Sequence, residues 1–461
     1  MKTAKLLPFF TLIIFVWSSL YSNAFSQNIG AIPPQELVQR RDALAEQMPD
    51  SSVAVFFSAS VKTRSNDVPF EYRQDSNFYY LTGITAPNTV LVLTKRKSSA
   101  PVDEILFIPR PLPYAASWDG VALSVEDAKG ISGIEIVKTA EAFDSELAAG
   151  LANKKILVYT FQNELLQEVI SGKRFFISHQ SKQAIQERYP GLEIQSPSKM
   201  LAKLRQIKSP EEVALMRRAI DITCDALMEA MRSAEPGMFE YQLEAVIEYI
   251  FKKEGAESPA FPSIIGSGPN STILHHSSNQ RKTVSGDLVV MDVGAEFCGY
   301  SADVTRTIPI NGKFNTAQRA IYDTVLRAQK AALSVVKSGV LFSTVHEAAK
   351  KVIDAAGFGN YFTHSTSHYL GLDTHDVGER GPLQAGMVIT IEPGIYIPEG
   401  APLDRAYWNI GVRIEDDVLV TKSGYEILSS KVPREIADIE KLMKEPSRFS
   451  VSSETMQKML E

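Results

Sequence analysis

The chain of 461 residues is 44% apolar and 22% charged, an ordinary globular composition whose length suits two or three domains of about 150 residues. Its net charge of −6 is spread along the chain, with no basic stripe interleaved with aromatics; nucleic acid is therefore not expected as a partner, and small molecules or peptides remain. Two cysteines, Cys224 and Cys298, are too few for a disulfide scaffold, so they pair once or stay as free thiols.

The first stretch, "MKTAKLLPFFTLIIFVWSSLYSNAFSQ", places Lys2 and Lys5 before an apolar run from Leu6 to Trp17 and then small residues around Ala24 and Ser26. That order is the pattern of a secretory signal over residues 1–26, with an apolar run short of the ~20 residues a membrane span needs. Cleavage after Ser26 would take the net charge from −6 to −8. An exported, periplasmic or secreted protein is expected, with no stable membrane span once the signal is removed.

From residue 27 to 197, "SSVAVFFSA", "TVLVLTKR" and "DEILFIP" read as short strands among polar helices, an α/β domain. Its densest polar and aromatic cluster, Arg64 to Gly83, is rich in turn residues and reads as loop plus strand. A second domain spans 198–444. "SPEEVALMRRAIDITCDALMEAMRS" begins with Ser209 as a cap, Pro210 at the first helical position and two glutamates, and continues with helical apolar spacing. Three further helices are expected in "MFEYQLEAVIEYIFKKEG", "NTAQRAIYDTVLRAQKAALSVVKSG" and "STVHEAAKKVIDAAG". The strands "GDLVVMDVGAEF", "YSADVTRTIPI", "AGMVITIEPGIYI" and "GVRIEDDVLVT" make this domain α+β. Residues 445–461 read as a polar helical tail without chemistry.

Within the second domain several apolar strands carry carboxylates. A hairpin centred near Phe297 and Cys298 would make Asp292 and Asp303 cross-strand partners, which is destabilising unless something positive lies between them. Glu392 follows "VITI" and Glu415 follows "GVRI", two residues beyond Arg413. With His368 they supply four carboxylates and one imidazole. Four anions converging in a low-dielectric site repel strongly, and two divalent cations would balance them. Oxygen-dominated ligation with a single imidazole suits Mn2+ or a similar hard to borderline metal. The implied chemistry is two-metal hydrolysis by an acidified water.

In this order "MDVGAEFCGYSADVTRT", "HSTSHYLGLDTHDVG", "ITIEPGIYI" and "GVRIEDDVLVT" resemble the motif set of the pita-bread metallopeptidases. Nearly the whole mature chain is similar to the aminopeptidase P (Xaa-Pro aminopeptidase) family, including "YRQDSNFYYLTG" in the N-terminal domain and "LRQIKSPEEVALMRRA" at the start of the catalytic domain. The resemblance implies an α/β N-terminal domain followed by a pita-bread α+β domain, with Asp292, Asp303, His368, Glu392 and Glu415 as metal ligands and Asp303 and Glu415 bridging the two ions. It implies peptide substrates with proline second and a metal-bridging hydroxide that attacks the carbonyl before that proline. The ions, His275 and His375 would stabilise the tetrahedral anion while Glu392 passes a proton to the proline nitrogen. His276 is then incidental, and His364 lines the cleft or is structural. Arg413 orients ligands or substrate, and Tyr396 packs on the proline ring or in the core. His346 reads as a capped or surface histidine of a helix.

Departures from the family pattern are modest. "HSTSH" carries hydroxyls where close relatives often have glycine and an apolar residue, and "GERGPLQAGM" is a compact connection. Prolidase, limited to Xaa-Pro dipeptides, shares the ligand set and is the alternative activity. A non-catalytic binding relative would have lost a ligand, and creatinase-like enzymes do without these ligands. The family often associates, so a homo-oligomer is expected.

Overall fold

The structure, a computed structural model, describes residues 31–97, 101–110, 120–152, 154–159, 165–167, 174–379 and 381–449. The signal-like residues 1–26 and most of the C-terminal tail lie outside the described residues.

The N-terminal region opens with helix α1 (Pro34–Gln47), which begins on a proline. Strand β1 (Ser52–Phe57) is buried along nearly its whole length, because it is covered on both faces. It pairs antiparallel with β2 (Val90–Lys95) and parallel with Ile156–Tyr159, at the centre of a six-stranded mixed sheet. Alternate residues feed two cores. Ala54, Phe56, Leu91 and Leu93 face the main one, whereas Val53, Val55, Val92 and Phe107 join Leu151 and Leu157 on the other face, as a period of two requires.

The cluster expected to be loop plus strand differs. Residues 63–69 form a small exposed hairpin, but Ser76–Thr82 is a helix, α2. Asp75 caps it by accepting from the backbone N–H groups of Asn77 at 3.0 Å and Phe78 at 2.8 Å, and Gly83 ends it at φ +66°. The turn-forming residues are thus caps, and Phe78 and Leu81, three apart, are the buried face.

Helix α3 (Ser198–Arg205) leads into the second region. Helix α4 (Pro210–Ser233) starts with the expected capping box between Ser209 and Glu212. It packs with α5 (Glu240–Lys253), and α6 (Thr316–Val335) packs with α7 (Phe342–Ala355), so each helix pair precedes a set of antiparallel strands. In the first set, strand β3 (Leu288–Val293) lies between Ile264–Ser267 and β4 (Val304–Pro309). In the second, β5 (Val388–Ile391) pairs with β6 (Asp416–Val420), while Gly394–Ile397 pairs with Ile410–Arg413. The expected tail is not helical where it is described. After Pro446, Ser447 and Arg448 dock on the buried Glu229 of α4. Both cysteines are free, Cys224 within α4 and Cys298 in a turn. No described helix is long and apolar enough to cross a membrane.

Candidate metal centre

The hairpin joining β3 to β4 turns on Cys298 and Gly299, both left-handed at φ +49° and +76°, as a two-residue turn matched to strand twist demands. That centre lies one residue beyond the expected one, so Asp292 faces Thr305 rather than Asp303. A one-residue shift of the centre moves the pairing by two and preserves the face. Asp292 and Asp303 are therefore diagonal neighbours on one side of the ribbon. Gly294 permits the crowding there, since a Cβ at that position would lie 1.7 Å from the Ala302 carbonyl oxygen.

The other members arrive from the second half. Glu415 N–H donates to the Thr305 carbonyl at 3.1 Å, setting Glu415 beside β4. Residues Thr366–Leu370 run alongside β5: Thr390 N–H donates to the His368 carbonyl at 3.0 Å, and Glu392 N–H to Thr366 at 2.9 Å. His368 and Glu392 consequently share an edge. Asp303, His368 and Glu415 each offer a ligating atom within 4.8 Å of the others. His368 Nε2 is 3.4 Å from both Asp303 Oδ2 and Glu392 Oε1. Its Nδ1 sits 2.9 Å from the Tyr369 carbonyl; a proton there leaves the Nε2 lone pair facing the carboxylates.

This arrangement fits divalent cations. Burial, then Asp292, Asp417 and Glu392, push the Asp303 carboxyl well above its usual range; burial, then Asp303, Glu392 and Asp292, do the same to Glu415. Burial also raises Glu392, opposed by His368 and Arg413. Asp292 Oδ1 is buried with no hydrogen-bond partner. Carboxylates packed this way must take up protons or share cations.

The remaining expected residues are close by. Arg413 is buried and fully engaged: it donates to Asp292 Oδ2 at 2.6 Å, Thr305 Oγ1 at 3.0 Å and the Tyr396 hydroxyl at 2.8 Å. The Tyr396 hydroxyl also lies 2.9 Å from His364 Nε2, and burial pushes its own pKa up to about 12. Burial, then Arg413, lower His364 to about 4. His275 and His375 are exposed to a cavity of about 320 Å3 that Phe261, Asp292 and Asp303 also line. His375 stacks on His368 with centroids 4.1 Å apart. Burial, then His368 and His275, lower its pKa.

His276 bonds the buried Glu240 at 3.0 Å and does not line the cavity that His275 faces. His346 is not a plain surface histidine: its Nδ1 is 3.0 Å from Thr366 Oγ1, in the segment that carries His368. Sequence reading missed three contributors. Asp417 is a fifth buried carboxylate, accepting from Asp303 N–H at 3.1 Å. Thr305 donates to Glu415 at 2.7 Å, and Thr390 lies 3.3 Å from Glu392 Oε1. Thr305 and Thr390 stand two residues from Asp303 and Glu392, and that same-face spacing was the available signal.

Residues 214–422 match the model of metallopeptidase family M24, and residues 37–159 match that of the aminopeptidase P N-terminal domain. Over 441 residues the chain is 36% identical to a Xaa-Pro aminopeptidase of Haemophilus influenzae, covering 89% of this chain and 98% of that one. The chain belongs to metallopeptidase family M24. A Xaa-Pro aminopeptidase of Escherichia coli is also 36% identical, over 447 residues, with coverages of 89% and 98%. Among solved structures, a zinc-substituted E. coli aminopeptidase P in complex with product superposes with a TM-score of 0.81 at 34% identity, covering 90% of this chain and 99% of that one. Proline aminopeptidase P II from Yersinia pestis gives 0.82 at 34%, with coverages of 89% and 99%. These matches establish the pita-bread fold, and the M24 region holds every residue of the candidate centre.

Proposed function

We propose that this protein is an exported, dinuclear Xaa-Pro aminopeptidase that releases the first residue of peptides whose second is proline. The observation that carries the reading is the convergence of Asp303, His368 and Glu415, with Glu392 alongside and Asp292 facing the same cavity as His275 and His375. Similarity to Xaa-Pro aminopeptidases along 98% of their length supports the substrate class.

Asp292, Asp303, His368, Glu392 and Glu415 would hold two divalent ions, and this donor set suits Mn2+. When bound, such ions acidify water and polarise a carbonyl. Around them, His275 and His375 donate to the carbonyl oxygen as it gains charge. Glu392 is placed to hold a proton at its carboxylate and deliver it to the proline nitrogen, which leaves poorly as an anion. Arg413 holds Asp292 in orientation, and Tyr396 links Arg413 to His364.

The test uses the chain from Gln27, stripped of metal and reloaded with Mn2+, offered an Xaa-Pro-Yaa tripeptide and the matching dipeptide. Preferential tripeptide cleavage is expected. Cleavage of the dipeptide alone would make the protein a prolidase, and no metal-dependent cleavage of either would leave a non-catalytic relative. Export rests on the lysines and apolar run at the N-terminus; an intact Met1 on the mature protein would refute signal cleavage. We also expect a homo-oligomer, and a monomeric sedimentation coefficient would overturn that.

A further inference from the structure

His375 occupies a loop whose position is set from outside the catalytic strands. Its ring is exposed to the cavity and, among the described residues, is held by stacking on His368 rather than by a hydrogen bond of its own. The backbone around it is fastened instead. Asp376, the next residue, takes Arg205 on Oδ1 and Lys208 on Oδ2, the latter at 2.9 Å, with all three side chains buried. Asp373, two residues before, accepts from Arg205 at 2.8 Å and from the Ser76 hydroxyl at 2.6 Å. Arg205 also donates to Asn77 at 2.7 Å, and Arg73 donates to the Leu372 carbonyl while pairing with Glu296 at 2.7 Å. Packing beneath the loop is tight, for a Cβ on Gly371 would lie 2.1 Å from Asp376 Oδ2.

Arg73, Ser76 and Asn77 belong to the N-terminal region, and Arg205 closes α3, outside the residues that match the M24 model. We propose that Arg205 is a positioning residue for His375, acting through Asp373 and Asp376, and that Ser76 makes the N-terminal domain part of the same device. The proposal rests on the reading of His375 as a substrate-facing donor. Buried ion pairs are a weak source of stability because desolvation offsets their attraction, yet they define geometry closely. Catalysis is sensitive to displacements of about 1 Å. One guanidinium nitrogen bridging the carboxylates of Asp373 and Asp376, which flank Thr374 and His375, holds that short stretch in place.

The test is a double-mutant cycle on the full chain loaded with Mn2+, with Arg205→Lys, Ser76→Ala, His375→Ala and the two doubles assayed on an Xaa-Pro-Yaa tripeptide. Arg205→Lys is expected to lower kcat by about tenfold or more, since misplacement acts on the chemical step, with KM nearly unchanged; Ser76→Ala lowers kcat less. Each double should be no slower than His375→Ala alone. Losses that persist in full beside an impaired His375→Ala would overturn the proposal while leaving the site reading intact. An unimpaired His375→Ala would overturn the reading itself and the proposal with it. Should Arg205→Lys not fold, Ser76→Ala decides: it keeps Arg205 and both aspartates, and an unchanged kcat overturns the proposal.

Discussion

The Arg413 guanidinium lies 2.6 Å from Asp292 Oδ2 and, through another nitrogen, 2.8 Å from the Tyr396 hydroxyl. One buried cation thus offsets part of the clustered charge without lining the cavity, whereas Asp303, Glu392 and Glu415 have no arginine or lysine ion pair among the described residues. Arg413→Met should weaken metal binding by about 10- to 100-fold, the usual cost of removing an outer partner. Metal titration of the stripped, folded variant reads this directly; unchanged affinity would mean that Arg413 does not orient Asp292.

Asp303 is buried against Asp292, Asp417 and Glu392. Asp303→Asn should abolish metal-dependent peptide hydrolysis, because the amide supplies no charge to a cation. The same change should stabilise the metal-free protein by relieving repulsion among buried carboxylates, raising its melting temperature above that of the metal-free parent. Full activity in the variant would sink the assignment of Asp303 as a ligand.

Arg306 and Asp416 are both fully buried and 2.7 Å apart. Among the described residues, Arg306→Met leaves Asp416 with Arg434 as its one cationic partner, at 2.6 Å, and should cost about 3–5 kcal/mol, the scale for breaking a buried pair. Urea denaturation of the two proteins measures the difference. A loss below about 1 kcal/mol would match the scale of an exposed pair and show that Arg434 compensates.

Burial pushes the Cys224 thiol up to about 12, whereas an unfolded cysteine titrates near 8.5. Between these values the unfolded chain loses its proton and the folded one keeps it, so stability falls as pH rises through the unfolded pKa. By pH 10 the loss from this group is about 2 kcal/mol. Cys224→Ala should therefore show a shallower decline in urea midpoint from pH 8 to pH 10 than the parent, and parallel declines would refute the assignment.

Much of the fold was legible because its signals are local. Ser209, Pro210 and Glu212 announce the start of α4 wherever they occur, and helical spacing carries the rest. The carboxylates stood out for a similar reason, as charges inside apolar strands. The segment around Asp75 misled because Asp, Ser and Asn serve loops and helix caps equally, and only the burial of Phe78 and Leu81 distinguishes the two. The hairpin register slipped because Cys298 had to take φ +49° for the turn to centre one residue later, and a non-glycine residue does not advertise that.

The sequence by itself determined most element types and singled out five candidate ligands, because residue chemistry and short-range spacing carry that information, while the family resemblance of its motifs picked out the histidines around them. Tertiary structure alone decided which charges meet. Asp417 enters the cluster because β6 runs beside β4, Arg413 turns to Asp292 across the seam between the two halves, and Arg205 reaches Asp373 and Asp376, 168 and 171 residues away. Those contacts arise from long-range packing, where direction and distance, rather than order along the chain, set the electrostatic energy.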